Sequence, residues 1–586
     1  MNKLRVFFPY ILISVLFVGK LWLYSSYIID GLTFGSLIVS WLIFMAIMLL
    51  LLPLGRSNRL IFIFYAICSS LMLADAVYFK YFYQLLTVDV VKLMSLLPTV
   101  SDSIFSLMEY KHWLFILDLF IIWRFPRVGE INIKRGTKIS LICSSVVILL
   151  IISFSNPGLE FFTFHYNDLT KSLHEDSVAT NAQEVPALKP LPQNQFTGSA
   201  KGRNLIVVQI EAMQNFVIGR TYNGQEITPF LNSLIKDNSI YFDQYFQQLG
   251  RGNTSDAEFV TNNSLYPAMD SPTYKAYYQN NFYGLPWILR EQGYSTSVFH
   301  GYEATFWNRK DAYPYQGFER FYSKDDFINE ETIGMGINDR DFFTQSIAKM
   351  KTMPQPFYAF LVTLSSHHPY VLPEKYQVLE LRPEDKGTLL GHYLNAIHYV
   401  DSALETFFAY LKTEGLYDNS FICIYGDHHG IILGDIEAKE TLSKELGYEY
   451  TYDQMMRVPL IMHLPNSNLE LRVSKTGGQI DFLPTVLNLF GLQNQKGVMF
   501  GQDLLGPGQG FVAEQTYLLK GSFIHDNIIF EMSRDGDFNN SRAWNLQTRQ
   551  PVPLELCTSR YRHALNEIDT SNYLLKNNLV VPDEVE

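Results

Sequence analysis

Residues 204–211 read Asn-Leu-Ile-Val-Val-Gln-Ile-Glu, and the fold of the chain turns on how that octet is read. A near-continuous aliphatic and β-branched run of this length suits a strand buried on both faces of a parallel sheet. The residue that ends it, Glu211, then stands at the carboxyl end of a strand, where open α/β sheets keep their sites. A second run, residues 421–425, leads into Gly426-Asp427-His428-His429-Gly430 and repeats the pattern with a carboxylate and imidazoles. Outward from these two, further strands are expected at 240–246, 295–300, 358–364 and 460–464. Amphipathic helices are expected at 229–236, 283–291, 339–350, 393–412 and 481–490. The longest keeps Leu394, Ile397, Val400, Leu404, Phe408 and Leu411 on one stripe, as helical spacing requires. Strand–helix alternation of this kind predicts a mostly parallel sheet with helices on both faces. After about residue 508, the runs 511–519 and 523–532 predict a small antiparallel addition.

The N-terminal quarter is of another kind. Apolar stretches occur at 7–26, 34–54, 60–81, 113–125 and 139–154, and about 20 apolar residues cross a hydrocarbon core. Five transmembrane helices are therefore expected, the fourth being the shortest and carrying Asp118. A single cleaved signal peptide does not fit, because the apolar segments continue far past the first. Lys3, Arg5, Arg56, Arg59 and the cations between Arg124 and Lys138 fall at alternate ends of these stretches. The positive-inside rule then puts the N-terminus in the cytoplasm and the large domain outside. Asp75 and Asp118 lie within apolar stretches, where an ionised side chain is costly. Each is expected to find a helix-packing partner, the other reading being a lipid-headgroup or cation contact.

The expected organisation is a membrane domain at 1–156, a proline-containing linker at 157–203, an α/β domain at 204–508, and a C-terminal antiparallel subdomain and tail at 509–586. Composition agrees with a folded, multi-domain chain. Of 586 residues only 18% are charged and 15% are aromatic, which excludes a disordered protein. Net charge is −12, distributed as +5 over residues 1–160 and −17 over the rest. So acidic a remainder repels phosphate backbones, and no nucleic-acid partner is expected. Four cysteines without a Cys-x-x-Cys spacing exclude thiolate zinc sites and dithiol redox chemistry.

Between the two strand ends, Gly250-Arg251-Gly252-Asn253-Thr254-Ser255-Asp256 leads into an expected helix. Glu211, Thr254, Asp427 and His428 can then converge on one cation, and such an oxygen and nitrogen set suits Mn²⁺, Mg²⁺ or Zn²⁺. Each element alone has an ordinary structural explanation, a solvated loop carboxylate or a helix cap; the three in this order, behind a membrane segment, point to a metal-dependent enzyme.

On these residues the chain resembles the lipoteichoic acid synthase family of the alkaline phosphatase/sulfatase superfamily. The resemblance runs through Gln209-Ile210-Glu211, Gly252-Asn253-Thr254-Ser255-Asp256-Ala257-Glu258-Phe259, Phe299-His300-Gly301, Phe306-Trp307-Asn308-Arg309, Ser365-Ser366-His367-His368-Pro369-Tyr370, Tyr425-Gly426-Asp427-His428 and Asp481-Phe482-Leu483-Pro484-Thr485. It implies an extracellular sulfatase-like domain on five membrane helices. It also implies Glu211, Thr254, Asp427 and His428 as ligands of a Mn²⁺ ion, Thr254 as nucleophile, and His300, Trp307, Arg309 and His367 as the glycerol-phosphate pocket. The implied reaction takes glycerol phosphate from phosphatidylglycerol, releases diacylglycerol, and extends a polyglycerolphosphate chain or a glycolipid primer. Family members tend to carry Lys before the nucleophile, where this chain has Asn253 with Arg251 nearby, and this leaves the acceptor open. A related transferase acting on another headgroup or glycan, of the phosphoethanolamine or periplasmic glucan type, is the alternative. A sulfatase is disfavoured because residues 251–256 lack a Cys-x-Pro-x-Arg-like context, and the intact four-residue set argues against a retired, binding-only site.

Overall fold

The computed structural model describes residues 2–28, 34–54, 57–82, 84–91, 101–123, 134–154, 161–174, 186, 190–534 and 536–581. It divides into two compact units, Met1–Ala179 with Ser533–Asn540, and Thr180–Met532 with Ser541–Glu586.

The first unit is helical. Among the described residues three windows are long and apolar enough to cross a membrane, Phe8–Tyr27, Phe34–Leu51 and Asn58–Phe82. A further helix, Arg135–Phe154, covers the fifth expected stretch. The fourth is a 3₁₀ segment Tyr110–Phe115 followed by a short helix Leu117–Ile122; Arg124 and Arg127 beyond it, like Asp30 and Arg56, lie outside the described residues. The carboxylates of both apolar stretches, Asp75 and Asp118, serve helix packing. Asp118 is bridged by Lys20 at 2.7 Å and accepts a hydrogen bond from Tyr65, while Lys20 also donates to Ser69 at 2.7 Å. Asp75 accepts from Tyr24 at 2.9 Å and meets His165 at 2.8 Å. An unpaired charge here would be costly, so the chain supplies a partner for each.

The segment expected as a plain linker is more structured than that. Phe161–His174 forms a helix, with Phe161 edge-on to Tyr24 at 5.5 Å and His165 on Asp75. Phe161, His165 and Leu169 recur at a four-residue spacing, the signal that a proline-centred reading of this segment passes over. Further on, the Gly198 and Ala200 amides donate to the Asn488 and Leu489 carbonyls, which ties this stretch into the second unit.

The second unit is built on a nine-stranded mixed sheet. From one edge the strands run Glu470–Val473, Ser239–Phe246, Arg457–His463, Ser420–Gly426, Asn204–Ile210, Phe357–Val362, Ser295–His300 and Arg320–Tyr322, with Gly477–Gly478 pairing off the path. Asn204–Ile210 is central and parallel to both neighbours. All seven of its residues are buried, and a fully buried aliphatic side chain of this size contributes about 1.5–3 kcal/mol. Arg457–His463 is antiparallel to both of its neighbours, an inversion in the otherwise parallel arrangement. Helices Asp339–Met350 and Leu389–Thr413 pack together, and the long one buries the predicted Leu394–Leu411 stripe. The C-terminal addition is a four-stranded antiparallel sheet in chain order, Phe511–Glu514, Ser522–His525, Ile528–Glu531 and Arg542–Asn545. The expected tail is a 20-residue helix, Thr558–Asn577, which buries Ala564, Ile568, Leu574 and Leu575.

Candidate active site

Parallel pairing of Asn204–Ile210 with Ser420–Gly426 registers Ile210 opposite Gly426, so Glu211 and Asp427 emerge side by side. Gly426 permits that closeness: a Cβ there would lie 1.9 Å from the Met213 carbonyl oxygen. Glu211 is held by two local bonds, its amide donating to Thr363 Oγ1 at 3.1 Å and its carbonyl accepting from Ser366 Oγ at 2.6 Å. Asp427 Oδ1 accepts from the Ala212 and His428 amides, both at 2.7 Å. Its Oδ2 is buried with no hydrogen-bond partner. Gln479 braces the same turn by donating to the Asp427 carbonyl at 2.6 Å.

Thr254 opens the helix Thr254–Asn263, and its Oγ1 donates to Glu211 Oε2 at 3.3 Å. Gln209 receives Tyr425 OH at 2.5 Å and donates to the Thr254 carbonyl at 3.1 Å, so the first strand also fixes the start of that helix. Asp256 folds the preceding loop by accepting from the Gly250 and Gly252 amides at 3.1 and 2.6 Å. A Cβ at Gly252 would meet Ser255 Oγ at 2.5 Å, so the loop has no room for a side chain there.

Among the described residues Glu211, Asp427 and His428 form a group whose ligand atoms all lie within 4.8 Å of one another, and all three are buried. His428 Nε2 stands 3.4 Å from Glu211 Oε1 and 3.6 Å from Asp427 Oδ2. His428 Nδ1 pairs with the His429 carbonyl at 2.9 Å, which leaves Nε2 as the ligating nitrogen. The electrostatics fit a positive charge shared by these three side chains. Burial and the Glu211 carboxylate push Asp427 well above the usual range. Burial opposes ionisation of Glu211 too, yet His428 beside it holds the group down at about 2. His428, which burial alone would depress, is raised to about 10 by Asp427 and Glu211. A proton on His428 thus stands where a divalent cation would neutralise two carboxylates, and the orphaned Asp427 oxygen is a ready ligand. These residues fit a divalent metal.

The expected pocket residues divide. His300 ends its strand and is buried; burial and the nearby Arg309 charge push its pKa well below the usual value. His367 lies close enough to act electrostatically on both Glu211 and His300, and its Nδ1 pairs with the His368 carbonyl at 2.8 Å. Trp307 is half-buried with φ +56°, followed by Asn308 at φ +62°. Ala212, Asn253 and Tyr370 also have positive φ, so uncommon backbone conformations fall beside several of the site residues. Arg309 is 1% exposed, and most of its guanidinium is engaged by protein: Nε and Nη2 bond Glu258 Oε1 at 3.0 and 2.6 Å. Tyr313 OH donates to the other Glu258 oxygen at 2.7 Å. Glu258, one turn beyond Thr254 on the same helix, is a residue that sequence reasoning missed, although its i+4 spacing from Thr254 was there to be read. Asp339 is another: its Oδ1 accepts from the Leu364 and Ser365 amides, at 3.0 and 3.2 Å, in the turn that carries His367.

Replacing Asp427 with asparagine leaves the Oδ1 bonds possible and removes the charge. Affinity for Mn²⁺, titrated calorimetrically on the purified chain, is expected to fall by about a hundredfold or more. Wild-type affinity in that variant would exclude Asp427 as a ligand.

Comparison with known proteins identifies the family. The sulfatase family profile matches residues 203–492, and the profile of the lipoteichoic acid synthase N-terminal domain matches residues 2–171. Lipoteichoic acid synthase 1 of Bacillus subtilis (strain 168) is 33% identical over 580 residues, covering 90% of each chain. The lipoteichoic acid synthase of Staphylococcus aureus (strain NCTC 8325 / PS 47) is 29% identical over 527 residues, 83% of this chain and 80% of that one. The crystal structure of the lipoteichoic acid synthase LtaP from Listeria monocytogenes superposes with a TM-score of 0.63 at 30% identity, covering 68% of this chain and 98% of that one.

Proposed function

Because the chain belongs to the lipoteichoic acid synthase family, we propose that it moves glycerol phosphate from phosphatidylglycerol to a polyglycerolphosphate chain or a glycolipid primer, through Thr254 and with release of diacylglycerol. The observation that carries this reading is the Thr254 hydroxyl 3.3 Å from Glu211, in one cluster with Asp427 and His428. Glu211, Thr254, Asp427 and His428 would hold the divalent ion, with Mn²⁺ the first candidate and Mg²⁺ or Zn²⁺ the others. A divalent ion bound there lowers the pKa of an attached hydroxyl and offsets phosphoryl charge.

The chain's own groups supply the remainder. Thr254 Oγ1 loses its proton to solvent and attacks phosphorus; the bond from phosphorus to the diacylglycerol oxygen breaks, and that oxygen leaves with a proton. His367 is assigned to give that proton or to hydrogen-bond the phosphate. An acceptor hydroxyl then gives its proton to His367 and attacks the phosphoglycerol-threonine; the bond from phosphorus to Oγ1 breaks, and Oγ1 takes a proton back from solvent, which restores Thr254. His300, kept neutral by burial and Arg309, offers a hydrogen bond without adding a charge. Trp307, half-buried, is assigned the aromatic wall for the glycerol. Arg309 acts by holding the Thr254 helix through Glu258, while its Nη1 donates to the Phe306 carbonyl at 3.4 Å. Products of the purified chain incubated with Mn²⁺ and phosphatidylglycerol vesicles decide the matter by mass spectrometry: diacylglycerol together with glycerol-phosphate-extended acceptor is expected. Turnover of phosphatidylethanolamine in its place would make the chain a transferase of another headgroup.

The apolar helices anchor this domain to a membrane. The reading extends to five spans with the catalytic domain outside, supported by the cations Arg56, Arg59 and those from Arg124 to Lys138 in the sequence. An impermeant maleimide is expected to label a cysteine placed at Glu303 on intact cells; labelling only after lysis would put the domain inside.

A further inference from the structure

The C-terminal sheet reaches into the site through one short segment. Beyond the edge strand Phe511–Glu514, Gln515 donates to the Pro267 carbonyl at 2.8 Å and Thr516 to the Leu249 carbonyl. Tyr517 OH then donates to Asn253 Oδ1 at 3.1 Å. The same ring stands edge-on to His429, centroids 4.4 Å apart at 81°. Tyr517 is only 1% exposed, too enclosed to touch a substrate, yet it contacts the neighbour of Thr254 and the neighbour of His428.

Asn253 explains why such a contact matters. Its backbone sits at φ 40°, ψ −110°, a conformation that glycine adopts readily and other residues adopt only when held. Asparagine at the start of a helix ordinarily caps it with its side chain, but here no side-chain cap bond forms. Its Oδ1 goes to Tyr517 instead, while its carbonyl accepts from the Asp256 and Ala257 amides at 3.0 Å. The side chain is diverted from stabilising the helix to fixing the residue in front of the nucleophile.

We propose that Tyr517 is a positioning residue: it locks Asn253 in this positive-φ conformation, so that Thr254 is aimed at Glu211, and it couples that loop to the strand end carrying His428. This rests on the reading of Thr254 as nucleophile.

The test uses the full chain in phosphatidylglycerol vesicles with Mn²⁺. Tyr517→Phe keeps the ring on His429 and removes the hydroxyl that bonds Asn253. Its kcat is expected to fall about tenfold, with KM for the lipid held within about twofold. In the N253G background, where glycine takes the same backbone conformation unaided, adding Y517F is expected to cost less than about twofold. Unchanged kcat in Y517F, a rise in KM alone, or the full loss persisting in the N253G background would each overturn the proposal. Should Y517F lose its native circular dichroism, T516V, which removes the bond to Leu249, carries the same expectation with a loss of about threefold. Amide exchange of the peptide spanning residues 249–256 needs no substrate and is expected to quicken at least about fivefold in Y517F. If the wild type releases no diacylglycerol, the donor reading fails, and this exchange still decides on Tyr517: no change sinks it.

Discussion

Thr254→Ala is expected to lower diacylglycerol release by at least about a thousandfold while the far-ultraviolet spectrum and melting temperature stay near wild type. The hydroxyl donates to Glu211 Oε2 at 3.3 Å and adds one methyl-sized group to the helix start, so its loss should leave the packing of the helix almost untouched. Because the substitution removes both a nucleophile and a metal-ligand candidate, loss of turnover alone does not separate the two roles. Quenching the wild type during turnover of phosphatidylglycerol labelled in its headgroup, followed by digestion and peptide mass analysis, does separate them. A glycerol-phosphate adduct is expected on the peptide that contains Thr254. If no adduct accumulates even when acceptor is withheld, transfer is direct and Thr254 serves only to bind.

Glu258→Ala is expected to be the most destabilising single change near the site, by about 3–5 kcal/mol, because it leaves the Arg309 guanidinium buried without its counter-charge. The pair is 1% and 0% exposed, so solvent cannot take over the lost partner. Converting both residues to methionine should recover part of that stability, since a buried ion pair exchanged for apolar packing is often nearly neutral. Activity should not return with it, as the helix bearing Thr254 would have lost its tie to Arg309 and Tyr313. Denaturant unfolding of the two variants checks this. A single variant as stable as wild type would mean that the carboxylate contributes little to holding the helix.

The expectation for Arg309 shows where sequence reading runs out. The motif Phe306-Trp307-Asn308-Arg309 marks the residue as functional, and a guanidinium there suggests a fork onto phosphate. The partner that occupies most of that fork, Glu258, is 51 residues away in sequence and comes within reach only when the Thr254 helix lies against the Arg309 helix. Tyr517 and Asn253, 264 residues apart, are hidden in the same way. The antiparallel course of Arg457–His463 was equally illegible, because an apolar run reads the same in either direction.

What residue order determined by itself is whatever depends on local chemistry. Aliphatic runs at 204–210 and 420–426 bury themselves as central strands, and the polar residues that end them fall at the sheet edge where a site forms. Long apolar helices need no partner information to belong in a membrane. Tertiary structure alone decided which charge meets which. Asp118 chose Lys20 and Asp75 chose Tyr24 and His165 because a buried charge must take the nearest complement that packing offers. At the site, parallel register set Glu211 beside Asp427, and desolvation then turned those side chains and His428 into one coupled cluster. Such coupling grows with the loss of water, which no window of sequence contains.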